Sequence, residues 1–459
     1  MFRYTAFTLI IFVLSLFLPS LVKANEQNYV IIGYYAGWSP PKNFNPQSVT
    51  HINYAFADVC WDGKHGNQEA SNGGLQPCTD FNGNEQNDTP NGTVVLGAPT
   101  TDLPNLDNLK GFKHVNPQLK TLISIGGWSW SMNLSLVART EETRMQFAES
   151  AVAFIRSFDM DGVDLDWEYP VSGGMPNNHH DPSDKKNFTL LLQEIRNSLN
   201  QAEQKDGKKY LLTIASSAGF SYLENTELDK VAKIVDYINI MTYDFNGSWS
   251  QTTGHNAPLY KDPQAIENDV HPHHVAAAVK GHLDHGVPTK KLVLGLPFYG
   301  RSWGNCNPET EGKVLGNGGY QLCSGNGGGN LEPGTYDYNF LEKHIINQNG
   351  FQRYWNDTAK VPFLYSEEKR EFISYDDSES IKEKTHYITQ SALAGAMIWE
   401  LSEDDETQTL MNSVREGLGL PNLEPSKQPE EKPATKWTFF IITGILIIIL
   451  VFFIRKKRK

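Results

Sequence analysis

The sequence predicts an α/β fold, a (β/α)8 TIM barrel carrying a small α+β insertion. Three observations predict it. Short β-branched and aromatic runs recur along the chain with helical apolar periods between them, the pattern of parallel strands joined by crossover helices. One such run, Asp161 to Pro170, threads four carboxylates through residues that otherwise read as a buried strand. Between Gly300 and about Thr385 the helical period disappears, and runs such as Val361 to Tyr365 and Phe372 to Tyr375 replace it.

Tyr29 to Tyr35 and His51 to Ala57 read as the first two strands. The Asn/Gly/Asp-rich stretch from Asp58 to Asn91 has almost no apolar periodicity and reads as a long loop. Leu122 to Gly127 is the third strand, with Gly126 and Gly127 letting backbone pass close to the acid strand. Thr140 then caps a helix whose first turn holds Glu141 and Glu142 and whose apolar face is Met145, Ala148, Val152 and Ile155. It leads into the fourth strand, Asp161 to Pro170. Phe188, Leu191, Leu192, Ile195 and Leu199 mark the next helix, and Leu211 to Ser216, Val235 to Asp244, Leu292 to Phe298 and Ala396 to Glu400 complete eight strands. The inserted module spans 301–385; its Gly325 to Gly329 run lacks the Lys-Ser/Thr of a phosphate loop and reads as a surface turn.

The ends of the chain differ in kind. Residues 1–24 carry Arg3, an apolar run from Phe7 to Leu18, and Val22-Lys23-Ala24, which together read as an export signal. Residues 25–420 form the barrel unit, and 421–436, with four prolines, reads as a solvated spacer. Trp437 to Ile454 has no charged residue and is long enough for a membrane helix; the basic tail 455–459 then stays cytoplasmic. The protein is therefore expected to be exported and held on a membrane through this helix, with a secreted form as the alternative. A formal net charge of −13 excludes nucleic acid as a natural partner. Four cysteines in an exported chain fall into sequence-local pairs, and disulfides Cys60–Cys78 and Cys306–Cys323 are the simplest of three connectivities. No cofactor motif is present. The histidines at 271, 273, 274, 282 and 285 are read as helix-end residues, and no metal site is expected.

The chemistry concentrates in the acid strand. Side chains alternate across a strand, so Asp164, Asp166 and Glu168 share one side while Val163, Leu165 and Trp167 share the other. Carboxylates this close raise one another's pKa, and burial raises them further. Glu168, at the C-terminal end, is then the natural proton donor to a leaving group. A calcium loop would place Gly and polar spacers between the acids instead.

Asp161-x-x-Asp164-x-Asp166-x-Glu168 resembles the motif of glycoside hydrolase family 18, the chitinases and their relatives, and Ser124-x-Gly126-Gly127 resembles the family's second motif. The likeness runs from about Tyr29 to about Leu420. It implies a TIM barrel, an insertion between strands seven and eight that walls the cleft, and retaining hydrolysis of chitin or chitooligosaccharides by a monomer without a cofactor. In the implied mechanism Glu168 protonates the glycosidic oxygen while the substrate's own 2-acetamido oxygen attacks C1. Asp166 orients the acetamido group, Asp164 holds or exchanges a proton with Asp166, and Asp161 is a support at the strand entrance. Tyr243 meets the acetamido carbonyl, Asp244 contacts substrate, and Trp399 floors the subsite where the sugar distorts. Trp128 and Trp249 are aromatic platforms on the leaving-group side; Met241, Tyr35, Phe56, Tyr299 and Arg301 are further contacts. The family also holds endo-β-N-acetylglucosaminidases acting on N-glycan cores, which usually lack the insertion, and chitin-binding lectins, which have typically lost the Glu.

Overall fold

The computed structural model describes residues 29–70, 74–265, 273–307 and 317–424. Eight parallel strands close a barrel: β1 Val30–Ala36, β2 His51–Val59, β3 Lys120–Gly126, β4 Gly162–Asp166, β5 Leu211–Ser217, β6 Tyr237–Met241, β7 Leu292–Pro297 and β8 Gly395–Trp399. Each pairs with its successor, and β8 returns to β1 with Val30 opposite Gly395. Closure leaves no barrel strand with an unpaired edge, and the short strand Val94–Leu96 adds antiparallel to β2.

Strand alternation sorts the side chains into two layers. From β1, Ile31 and Tyr35 join the large outer core beneath the helices, whereas Val30, Ile32 and Tyr34 join Phe56, Val293 and Met397 inside the barrel. The outer layer includes helices Pro99–Val115, Glu141–Ser157, Asp184–Asp206, Val275–Asp284, Ser378–Gln390 and Thr409–Gly417. Between β1 and β2 the helix is replaced by one 3-10 turn, Pro46–Ser48.

The helix after β3 begins where expected, the Thr140 side chain accepting from the Thr143 amide at 3.2 Å. Its buried face is Phe147, Ala148, Ala151, Val152, Phe154 and Ile155, and Met145 lies off it, 43% exposed. The Asp58 to Asn91 loop is pinned by the Cys60–Cys78 disulfide and contains a small hairpin, Lys64–Asn67 with Gly74–Pro77.

The insertion opens directly after β7. Its five antiparallel strands lie in the order Thr335–Asp337, Tyr299–Trp303, Glu371–Ser374, Val361–Ser366, Gln352–Asn356. Helix Ser378–Gln390 follows, inside a stretch without a clear helical period in the sequence. The reason is its buried face: Ser380, Lys384 and Thr385 stand beside Ile381 and Ile388, and the fully buried Lys384 is neutralised by Asp376 at 2.5 and 2.7 Å.

Among the described residues no helix is long and apolar enough to cross a membrane. The expected export signal (1–24), most of the spacer, the expected membrane helix (437–454), the basic tail and His271 lie outside the described residues. Within them, the His274 side chain caps its helix by accepting from the Ala277 amide at 3.2 Å, and buried His282 bonds Ser216 Oγ and the Ala278 carbonyl, both at 2.8 Å.

Candidate active site

Asp164 is fully buried in the barrel and surrounded by donors. Tyr34 and Ser124 donate to its Oδ2 at 2.8 Å, while Thr213 and, at 3.4 Å, Asn239 donate to Oδ1. Four strands thus supply donors to one carboxyl group on a fifth. Burial raises its pKa, and the Thr213, Tyr34 and Ser124 hydrogen bonds offset part of that rise.

Asp166, two residues on, is also buried, and its Oδ1 has no hydrogen-bond partner among the described residues. Burial, then the charges of Glu168 and Asp164, hold its pKa well above the ordinary range. Glu168 lies just past the end of β4. Its pKa is pushed up to about 7 by burial, with Tyr169 opposing as a donor and Asp244 adding repulsion. The backbone there is fixed by two polar side chains that no motif in the sequence marks. The Glu168 amide donates to Ser131 Oγ at 2.8 Å, and Asn178 donates to the Glu168 carbonyl at 2.9 Å. Asp161, at the opposite end of β4, accepts from the Thr121 amide at 3.0 Å and pairs with Lys113 at 2.8 Å and Lys208 at 3.4 Å. Burial would raise its pKa, but these partners hold it below the ordinary value.

Aromatic side chains line the mouth. Trp399 stacks on Phe56 with centroids 5.8 Å apart and lies 5.4 Å from Tyr34. Trp38, 62% exposed, extends this group at 6.1 Å from Phe56 and 6.4 Å from Trp399. Tyr243 and Met241 pack against the same inner cluster, and the Tyr243 hydroxyl donates to Met397 Sδ at 3.8 Å. The Ala55–Phe56, Glu168–Tyr169 and Trp399–Glu400 peptide bonds are cis. Just beyond Trp399, Glu400 and Glu403 form a second buried carboxyl pair, and burial lifts Glu400 to about 7.

Asp244 is gripped from the insertion. Arg301 donates Nε and Nη2 to its two oxygens, each at 2.8 Å, and Tyr299 adds a third bond at 2.8 Å. The Arg301 guanidinium also lies 5.2 Å over the Trp249 ring and 5.1 Å over Tyr299. Trp249 and Trp128 are exposed, at 61% and 51%.

One expected contact residue is elsewhere. Tyr35 points outward, its hydroxyl donating to Asn105 at 3.1 Å and its ring against Tyr54 and Phe112. The tandem Tyr34-Tyr35 leaves the facing of either ring undecided in sequence; pairing within the barrel sends Tyr34 to Asp164 and its neighbour to the helix layer. Trp38 escapes a sequence search because it stands in a loop beyond the strand's alternation.

Buried carboxyls with raised pKa values at the C-terminal mouth of a barrel, ringed by exposed tryptophans, define a glycoside hydrolase. The chain belongs to the glycosyl hydrolases family 18, whose model matches residues 30–404. It is 51% identical over 427 residues to Chitinase A1 of Niallia circulans, an alignment covering 87% of this chain and 60% of that protein. Chitinase 1 of Aphanocladium album is 34% identical, with 86% of this chain and 85% of that one covered. The solved chitinase ChiA74 from Bacillus thuringiensis superposes with a TM-score of 0.81 at 43% identity, covering 88% of this chain and 72% of that one.

Proposed function

We propose that the protein is a chitinase that hydrolyses β-1,4-linked N-acetylglucosamine polymers with retention, using the substrate's acetamido group as nucleophile. The observation that carries this is the buried Oδ1 of Asp166 beside Glu168, which has no hydrogen-bond partner among the described residues. A buried acceptor left without a donor costs free energy in the resting enzyme, and a substrate amide N–H supplies that donor. Glu168, protonated near neutral pH, gives its proton to the glycosidic oxygen and then, as carboxylate, draws one from water. Asp164, held by its ring of donors, backs Asp166, while Tyr243 faces the acetamido carbonyl. Trp399 and Phe56 floor the sugar, with apolar C–H faces against the rings; Trp128 and Trp249 receive sugars on the leaving-group side, and Ser124, Gly126 and Gly127 support the acid strand.

An N-glycan-core hydrolase is the weaker reading, because the insertion is present and the relatives above are named chitinases. A lectin role alone leaves the retained Glu168 without a purpose. We further propose that the protein is exported and tethered through residues 437–454, a reading supported by their uncharged run and by two disulfides suited to an oxidising compartment.

The test uses N-acetylglucosamine oligomers and their de-N-acetylated or glucose counterparts. Only substrates N-acetylated at the cleaved sugar are cut, and the first products are β-anomers. Equal cleavage of glucose polymers, or α-anomers first, overturns the mechanism.

A further inference from the structure

The loop that carries Trp249 is stitched to the insertion through the residues that follow it, 250–253. Trp303 Nε1 donates to the Ser250 carbonyl at 3.0 Å. The Cys323 amide donates to the Gln251 carbonyl at 2.8 Å, and the Thr253 amide donates to the Gln321 carbonyl at 2.9 Å. Thr253 Oγ1 accepts from the Gln321 amide at 3.0 Å and donates to the Gly318 carbonyl at 2.8 Å. Leu322 and Thr252 form an antiparallel bridge. What fixes residues 317–323 in turn is the Cys306–Cys323 disulfide, together with the Asn307 amide, which donates to the Leu322 carbonyl at 2.8 Å. Cys306, Cys323 and Trp303 belong to one buried cluster with Phe363, Tyr365 and Phe372 of the insertion sheet. That cluster is separate from the one inside the barrel that surrounds the acids.

The Trp249 ring lies under Arg301, and Arg301 grips Asp244. An exposed indole keeps little orientation unless its backbone is held, and here the backbone is held by the insertion rather than by the barrel.

We propose that the Cys306–Cys323 disulfide and Trp303 are positioning elements that hold the Trp249 platform for the leaving-group sugars, so that the insertion's disulfide sets affinity for long chains while leaving bond cleavage itself untouched. This rests on the chitinase reading above and adds to it the part of the molecule on which long-chain binding depends.

The experiment compares two substrates on the full chain. One is a di-N-acetylchitobioside carrying a small dye as leaving group, which places no sugar on the Trp249 side; the other is the N-acetylglucosamine hexamer. In the double variant Cys306→Ser/Cys323→Ser, and in Trp303→Phe, which keeps the aromatic bulk but removes the N–H donor, the hexamer KM rises about fivefold to tenfold, the scale of one lost sugar-aromatic contact. The dye substrate keeps its kcat and KM. Trp249→Ala raises the hexamer KM similarly, and combining it with the double cysteine variant adds little, because both remove one platform. An unchanged hexamer KM in both the cysteine and Trp303 variants overturns the proposal, as does an equal loss on both substrates, which marks a merely structural bond. If Trp249→Ala itself leaves the hexamer unaffected, the sugar platform is wrong; if neither N-acetylated substrate is cut by the wild type, the chitinase reading fails instead.

Discussion

Gly126 lies against the carbonyl oxygen of Asp166, and a Cβ at position 126 would sit 2.2 Å from that atom. The two residues are partners in the β3–β4 register, and the next amide, Gly127, donates to the same oxygen at 2.7 Å. Gly126 also has φ +109°, where side chains are strained. The bare backbone on β3 is therefore what allows the acid strand to lie where Asp166 and Glu168 face the cleft. Replacing Gly126 with Ala should displace β4, removing most activity and destabilising by more than the roughly 1–3 kcal/mol of backbone strain alone. Gly419→Ala is the control: φ is +76° but nothing lies within 4 Å of the added carbon. Equal losses of Tm in the two variants would show that the close approach to Asp166 is unimportant.

Glu168→Gln should lower kcat by at least about 10²–10⁴, the usual worth of a general acid, while oligosaccharide binding survives because shape and polarity are kept. In the wild type, kcat/KM should fall on the alkaline side as Glu168 loses its proton near pH 7. Glu400 is pushed to the same region, so Glu400→Gln is needed beside it: the alkaline limb should persist in that variant. Near wild-type turnover in Glu168→Gln removes the acid from the mechanism.

The same burial has a stability consequence of definite sign. A carboxyl whose folded pKa is raised binds its proton more tightly folded than unfolded, so stability is greatest below the unfolded pKa near 4.5 and is lost as pH rises to about 7. Glu168→Gln, which cannot ionise, should be more stable than wild type at pH 8, with that advantage gone at pH 4. Thermal melts at the two pH values measure the difference; an advantage confined to pH 4 would reverse the assignment.

The run of acids is legible in the sequence because its period of two survives in the structure, and because burying four carboxylates in an apolar strand is costly unless chemistry requires them. Glu168 nonetheless lies beyond β4, which ends at Asp166, since strand pairing stops at Leu165 on the β5 side and at Asp166 on the β3 side. The donors around Asp164 are not legible in this way. Tyr34, Thr213 and Asn239 come from three other strands, and only barrel closure brings them together. Arg301 and Asp244 both stand out in the sequence as substrate contacts, yet their mutual bidentate pairing depends on how the insertion folds back over β6, which no local pattern encodes.

The tether has a test of its own, and the structure determines where to cut. The chain remains bonded to the barrel past Leu420: Arg415 donates to the Pro421 carbonyl at 2.8 Å, the Leu423 amide to Asn412 at 3.2 Å, and Asn45 to the Glu424 carbonyl at 2.8 Å. Truncation should therefore follow Glu424 rather than Leu420. The remaining spacer, about 12 residues at roughly 3.1 Å each, would hold the barrel up to about 40 Å from a bilayer, within reach of loose polymer ends. Full-length enzyme should sediment with membranes and need detergent for release, while the truncated enzyme is soluble with unchanged kcat and KM. Recovery of full-length protein from the medium without detergent, residues 437–454 still attached, would show that this segment is no anchor.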